Sequence, residues 1–193
     1  MTKVFAIDYC ENGYRMNDIR PSSSVVKNIK IDTNDNIPSS WRNALELTVL
    51  ELNNKFNHID IGIQYQLVRD GSHDTFIYWE SFYDLGLQLY TSEPAYADEP
   101  TYNNVGKKII LNSTHFEEIY SEKEKKSILI HELFHNLGVR NTNSIFGQLV
   151  PLTDQSPICD NTKWGRSIME ENAALVSMPN SVDYYVLRKF FPK

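Results

Sequence analysis

The segment His131-Glu132-Leu133-Phe134-His135 constrains this 193-residue chain more than any other stretch. It lies in an apolar-patterned run that opens on Ser121-Glu122-Lys123-Glu124, a serine cap answered by a glutamate three residues on. The helix this opens can run to about Leu137, where Gly138 offers a left-handed stop. Positions four apart share a helix face, so both imidazoles can point at one ion. Glu132, one step round the helix, can reach a water bound to that ion. Zinc lowers the pKa of such a water toward about 7. The carboxylate then takes the proton as hydroxide attacks a carbonyl, and returns it to the leaving amine. Two solvated histidines on a surface helix would be the bland alternative, but Ile128-Leu129-Ile130 just upstream mark this helix as buried.

The rest of the composition narrows the field. The other histidines, His58, His73 and His115, sit near turns or element ends and read as surface residues. Cys10 and Cys159 allow one disulfide at most and do not suffice for a thiolate zinc site. A net charge of −6 sets the overall field against nucleic acid and anionic lipid. No apolar run approaches the roughly 18 residues that span a bilayer. Met1 to Asp8 carries one Lys and a short apolar stretch, too weak for a leader peptide. On these grounds the chain is either cytosolic or a mature form whose leader has been removed. The size and the 12% aromatic content fit one globular domain. Residues 1–27 read as an N-terminal extension and 28–193 as the domain proper.

Periodicity gives the elements. Val26 to Asp32 alternates as a strand and ends in the turn Asn34-Asp35-Asn36. Ile37-Pro38-Ser39-Ser40 supplies helix-start residues, and Trp41, Ala44, Leu45, Leu52 and Phe56 recur at helical spacing over 41–57. Ile61 to Leu67 and Thr75 to Phe82 read as strands around the turn signal Asp70-Gly71. Residues 91–106, with Pro94 and Pro100, read as a loop, and Lys108 to Asn112 as a strand. Residues 139–167 look irregular, and a last helix is predicted from Ser181 to about Phe191.

The motif then extends. His131, Glu132, His135 and Gly138 stand in the register of H-E-x-x-H-x-x-G-x-x-H, the signature of the metzincin zinc endopeptidases, and Ser167-Ile168-Met169 looks like their Met-turn. Ile37-Pro38 with Trp41, and the end of the chain with Asp183-Tyr184-Tyr185 and Phe190-Phe191-Pro192, resemble the dual-action HEIGH-type branch. The resemblance covers about residues 28–192. It implies an α+β fold: a twisted mixed sheet with two long helices, an active-site cleft and a small irregular C-terminal subdomain with a terminal helix. The upper part would comprise 28–138 and the lower part 139–193. It further implies Zn2+ held by His131 and His135, Glu132 as general base and acid, Met169 as a packing floor, and a peptide or protein substrate. A monomer, secreted or otherwise extracytoplasmic, is the expected state.

One position departs from the signature. The usual third zinc ligand is His, and this chain has Asn141, whose neutral amide oxygen is a weaker ligand. Asp154, Asp160, Glu170 and Glu171 are carboxylates that could serve instead. Glu171 also stands where metzincins often carry a Tyr, so no transition-state role is assigned there. The expectation is a zinc-dependent endopeptidase, weakened at its third ligand. The alternative is a degenerate peptidase fold that binds peptide or protein without catalysis. Retention of Glu132, which zinc binding alone does not need, favours the enzyme. Lys107 to Asn112 is either a peptide-pairing edge strand or a plain core strand. Cys10 could pair with Cys159, stay a free thiol or plug a metal.

Overall fold

The computed structural model describes residues 20–85, 93–101, 103–114, 120–139, 168–169, 179 and 181–193. Five strands form one sheet: β1 (Ile29–Thr33), β2 (Tyr65–Leu67), β3 (Thr75–Glu80), β4 (Ala95–Ala97) and β5 (Lys108–Asn112). Their spatial order is β2-β1-β3-β5-β4. All neighbours are parallel except β4, which runs antiparallel to β5. Among the described residues three α-helices accompany the sheet: α1 (Ser39–His58), α2 (Glu122–Asn136) and α3 (Ser181–Phe190). The architecture is therefore α+β with a mixed sheet, as the sequence reading expects.

The spacing of apolar residues explains how α1 sits. Trp41, Ala44, Leu45, Val49, Leu52 and Phe56 are all buried, one stripe along the helix. Its start falls inside the expected Ile37-Pro38-Ser39-Ser40 segment. Pro38 occupies the cap position with no side-chain hydrogen bond, and its carbonyl accepts from Trp41 N and Arg42 N. Ser40 is thereby left to accept from the Lys125 ammonium of α2 at 2.7 Å. Midway along α1, Asn53 mimics a strand: its amide donates to Tyr65 O at 2.8 Å and accepts from Tyr65 N at 2.9 Å. This amide clamp holds β2 to the helix.

The second helix packs on α1 and on β4 and β5, so both helices share a sheet face. Ile128, Leu129, Ile130, Leu133 and Phe134 are almost fully buried within the common core. The cover extends to the chain's end. Tyr184 of α3 meets Phe56 edge-on at 6.3 Å, and Gly62 N donates to Phe191 O at 2.7 Å.

Several strand expectations change. The strand expected from Val26 begins only at Ile29, because Val25–Asn28 forms a 3-10 turn, and the one expected from Thr75 to Phe82 ends at Glu80. Residues 91–106 contain β4, which three residues build by pairing with Ile109–Leu111. Lys108–Asn112 lies between β3 and β4, with Ile109, Ile110, Leu111 and Asn112 all buried, so it is a core strand. The outer edge belongs to β4. Of the expected strand over 61–67, only Tyr65–Leu67 joins the sheet, because Ile61 bridges to Pro192 instead.

Candidate active site

The helix α2 is fixed at both ends by its own sequence. At its start Ser121 Oγ accepts from Glu124 N at 3.3 Å while Glu124 Oε2 accepts from Ser121 N at 2.7 Å. At its end Gly138 takes φ 90°, Gly138 N donates to His135 O, and Val139 N donates to Phe134 O. These two bonds form the six-to-one and five-to-two pattern of a left-handed helix stop. The stop also turns the Val139 carbonyl back onto the helix, where it lies 2.8 Å from His135 Nδ1.

His131 is held in the same manner by a distant segment. Its Nδ1 lies 2.7 Å from the carbonyl of Ile168, which with Met169 forms a fully buried turn. A carbonyl oxygen can only accept, so each Nδ1 carries the proton. In the neutral ring Nε2 is then an acceptor. The two Nε2 atoms face one another at 2.9 Å, with the ring planes at 85°. Two lone pairs at that distance repel unless a proton or a cation sits between them. A tetrahedral zinc with bonds of about 2.0–2.1 Å keeps two nitrogen ligands about 3.3 Å apart, so a small opening would admit it. Imidazoles anchored by carbonyls at Nδ1 and presenting Nε2 are the form metal-ligating histidines take. The donor set fits a divalent cation.

Glu132 lies between them in sequence and is buried, 6% exposed. Burial pushes its carboxyl up to about 8, and the negative charge of Glu93 pushes in the same direction. Such a carboxyl exchanges a proton readily near neutrality. Among the described residues no group of three or more His, Cys, Asp or Glu gathers for a metal. Asn141 lies outside the described residues, as do Asp154, Asp160, Glu170, Glu171, His115 and both cysteines. His58 and His73 are exposed and far from the motif in the chain. A cavity of about 320 Å³ bordered by His73, Asp74 and Lys107 contains none of the motif residues.

Sequence reasoning missed three features. The first is Asn136, which follows His135 and is buried. Its amide donates to Asp98 O at 2.9 Å and its carbonyl accepts from Gly106 N at 2.9 Å, tying the helix end to the β4–β5 pair. The second is the outer edge of β4. Asp98 N donates to Lys108 O and Asn112 N to Pro94 O, so Tyr96 is the residue that bonds inward. The N–H and C=O groups of Ala95 and Ala97 point outward. The third is Asp183, taken up below. A buried-side polar residue on α2 was a visible signal for Asn136, whereas nothing local marks Ala95–Ala97 as a strand.

No protein-family model matches the chain, and no curated protein matches it in sequence. Solved structures do. The structure of myroilysin superposes with a TM-score of 0.55 at 13% identity, covering 92% of this chain and 98% of that one. The fold is metzincin-like. A crystal structure of myroilysin also matches, with a TM-score of 0.42 at 14% identity over 73% of this chain and 58% of that one. No helix among the described residues is long and apolar enough to cross a membrane.

Proposed function

We propose that the chain is a zinc-dependent endopeptidase. The supporting observation is the pair of imidazoles that donate Nδ1–H to backbone carbonyls and turn their Nε2 atoms toward one point, 2.9 Å apart. In this reading His131 and His135 hold the zinc, the third ligand is Asn141, standing where the metzincin signature has its last His, or one of the carboxylates Asp154, Asp160, Glu170 and Glu171, and Met169 forms the floor. Bound there, zinc would supply Lewis acidity for water activation and carbonyl polarisation.

The protein's own residues do the rest. Glu132 takes a proton from water on its carboxylate and returns it to the leaving amine nitrogen. Burial of Glu132 keeps bulk water from competing for that proton. An extended peptide laid along the outer edge of β4 would pair with the outward N–H and C=O groups of Ala95 and Ala97. Asn136 couples that edge to the helix end beside His135.

The test is hydrolysis of a quenched-peptide library by zinc-loaded protein, with chelator and Glu132→Gln as controls. Activity lost with chelator and lost in Glu132→Gln supports the reading. An inactive zinc-loaded wild type, or activity untouched by Glu132→Gln, refutes it. Asn141→His should raise zinc affinity if Asn141 occupies the ligand position, and an unchanged affinity puts the third ligand elsewhere.

A further inference from the structure

Asp183 is 3% exposed on a helix whose neighbouring positions, Val186 and Leu187, are almost wholly buried apolar residues. A carboxyl in such surroundings is costly unless its oxygens are bonded. Its Oδ2 accepts from Ile168 N at 3.1 Å. The same residue, Ile168, presents the carbonyl that lies 2.7 Å from His131 Nδ1. The two bonds lie on the peptide planes flanking the Ile168 Cα. Fixing the N–H side therefore restrains how the C=O side can swing. The helix carrying Asp183 is itself pinned, because Phe191 and Pro192 dock on Gly62 and Ile61.

We propose that Asp183 is a positioning residue for His131. It locks the Ile168 peptide so that its carbonyl keeps the proton on Nδ1 and keeps Nε2 turned toward the metal position. The inference rests on the zinc reading of His131 and His135. Asp183 touches neither metal nor substrate in it and reaches His131 through Ile168.

Zinc affinity by competition with a chromophoric chelator gives one readout. The imidazole Nδ1–H resonance of His131 in metal-free protein gives a second that needs no zinc. Changing the groups behind a metal ligand costs about 10–100-fold in affinity, and Asp183→Ala, one bond further out, is expected at the lower end, about tenfold. Its His131 Nδ1–H signal should broaden or vanish through solvent exchange. Asp183→Asn keeps an oxygen in the same place and should stay within about threefold of wild type, whereas Asp183→Glu displaces the oxygen and should fall below it. Val186→Ala, on the same helix, should lower the thermal midpoint and leave zinc affinity alone. Wild-type zinc affinity and an unmoved His131 signal in Asp183→Ala overturn the proposal. If Asp183→Ala does not fold, equal wild-type values for Asp183→Asn and Asp183→Glu overturn it. A wild type that takes up no zinc refutes the zinc reading instead, and the His131 signal across the variants then decides the tether by itself.

Discussion

Replacing Gly106 by alanine puts the link between the sheet edge and the helix end under load. Gly106 precedes β5, and its N–H holds the Asn136 carbonyl at 2.9 Å while its own carbonyl accepts from Thr75 Oγ1 at 2.7 Å. A Cβ built there would lie against Asp98 O and the Asn136 amide, closer to both than real Cβ atoms come. The first of these is backbone and cannot rotate away. Overpacking of this kind costs about 1–3 kcal/mol. The Asn136–Asp98 hydrogen bond at 2.9 Å would be displaced as well. Leaving its buried partners unpaired costs about a further 1–3 kcal/mol. Stiffening of the unfolded chain returns about 0.4–1 kcal/mol. The net is a destabilisation of about 3 kcal/mol. For a chain of this size that is a fall of about 6–12 °C in thermal midpoint, at about 2–4 °C per kcal/mol. Urea and thermal unfolding followed by circular dichroism measure it. Because Asn136 is one of the two groups struck, Gly106→Ala should cost less in an Asn136→Ala background than in the wild type. A loss below about 1 kcal/mol, or strict additivity of the pair, would show that Asn136 does not carry the coupling between α2 and the edge.

Other consequences can be measured separately. Saturating zinc, at about a hundred times its dissociation constant, should stabilise the wild type by about 2.7 kcal/mol, and His131→Ala or His135→Ala should abolish that gain in calorimetry. Ser121→Ala removes the cap of α2 and should cost about 1 kcal/mol in urea unfolding. Hydrogen bonds from the Ser121 hydroxyl and N–H hold the Glu124 carboxyl below its usual 4.5. Its contribution is therefore complete above about that pH and lost as pH falls through the lower folded value, so wild type and Glu124→Gln should differ at pH 7 and converge once the pH lies below that folded value in thermal unfolding. Thr48 is fully buried on α1, and its hydroxyl has no hydrogen-bond partner among the described residues. Thr48→Val should stabilise by up to about 1 kcal/mol, and a loss of stability would mean the hydroxyl is satisfied in solution.

The parts of this molecule that were legible in the sequence are those whose information is local. The stripe of α1, the capping box at Ser121 and the left-handed stop at Gly138 each lie within one turn or one helix, and each appears where the pattern places it. The start of α1 also falls inside the Ile37-Pro38-Ser39-Ser40 segment, where proline supplies a helix-ready φ and its carbonyl accepts the first N–H groups. β4 was illegible because Ala95-Tyr96-Ala97 has no alternation to read and owes its conformation to Ile109–Leu111. The roles of Asn136 and Asp183 depend on partners 38 and 15 residues away, which no spacing rule supplies.

The two imidazole anchors differ in how far along the chain they reach. His135 finds its carbonyl four residues on, inside the stop of its own helix, whereas His131 finds one 37 residues on. The first contact can close as soon as α2 forms. The second carries the loop-closure entropy of a long excursion and exists only after the later chain has returned. A chain still emerging from synthesis therefore holds one imidazole already aimed and one that swivels freely. Tight two-point capture of a cation waits until the Ile168 turn has docked, so completion of the fold and acquisition of the metal become a single event, and a chain cut short before residue 168 keeps the motif but lacks the grip.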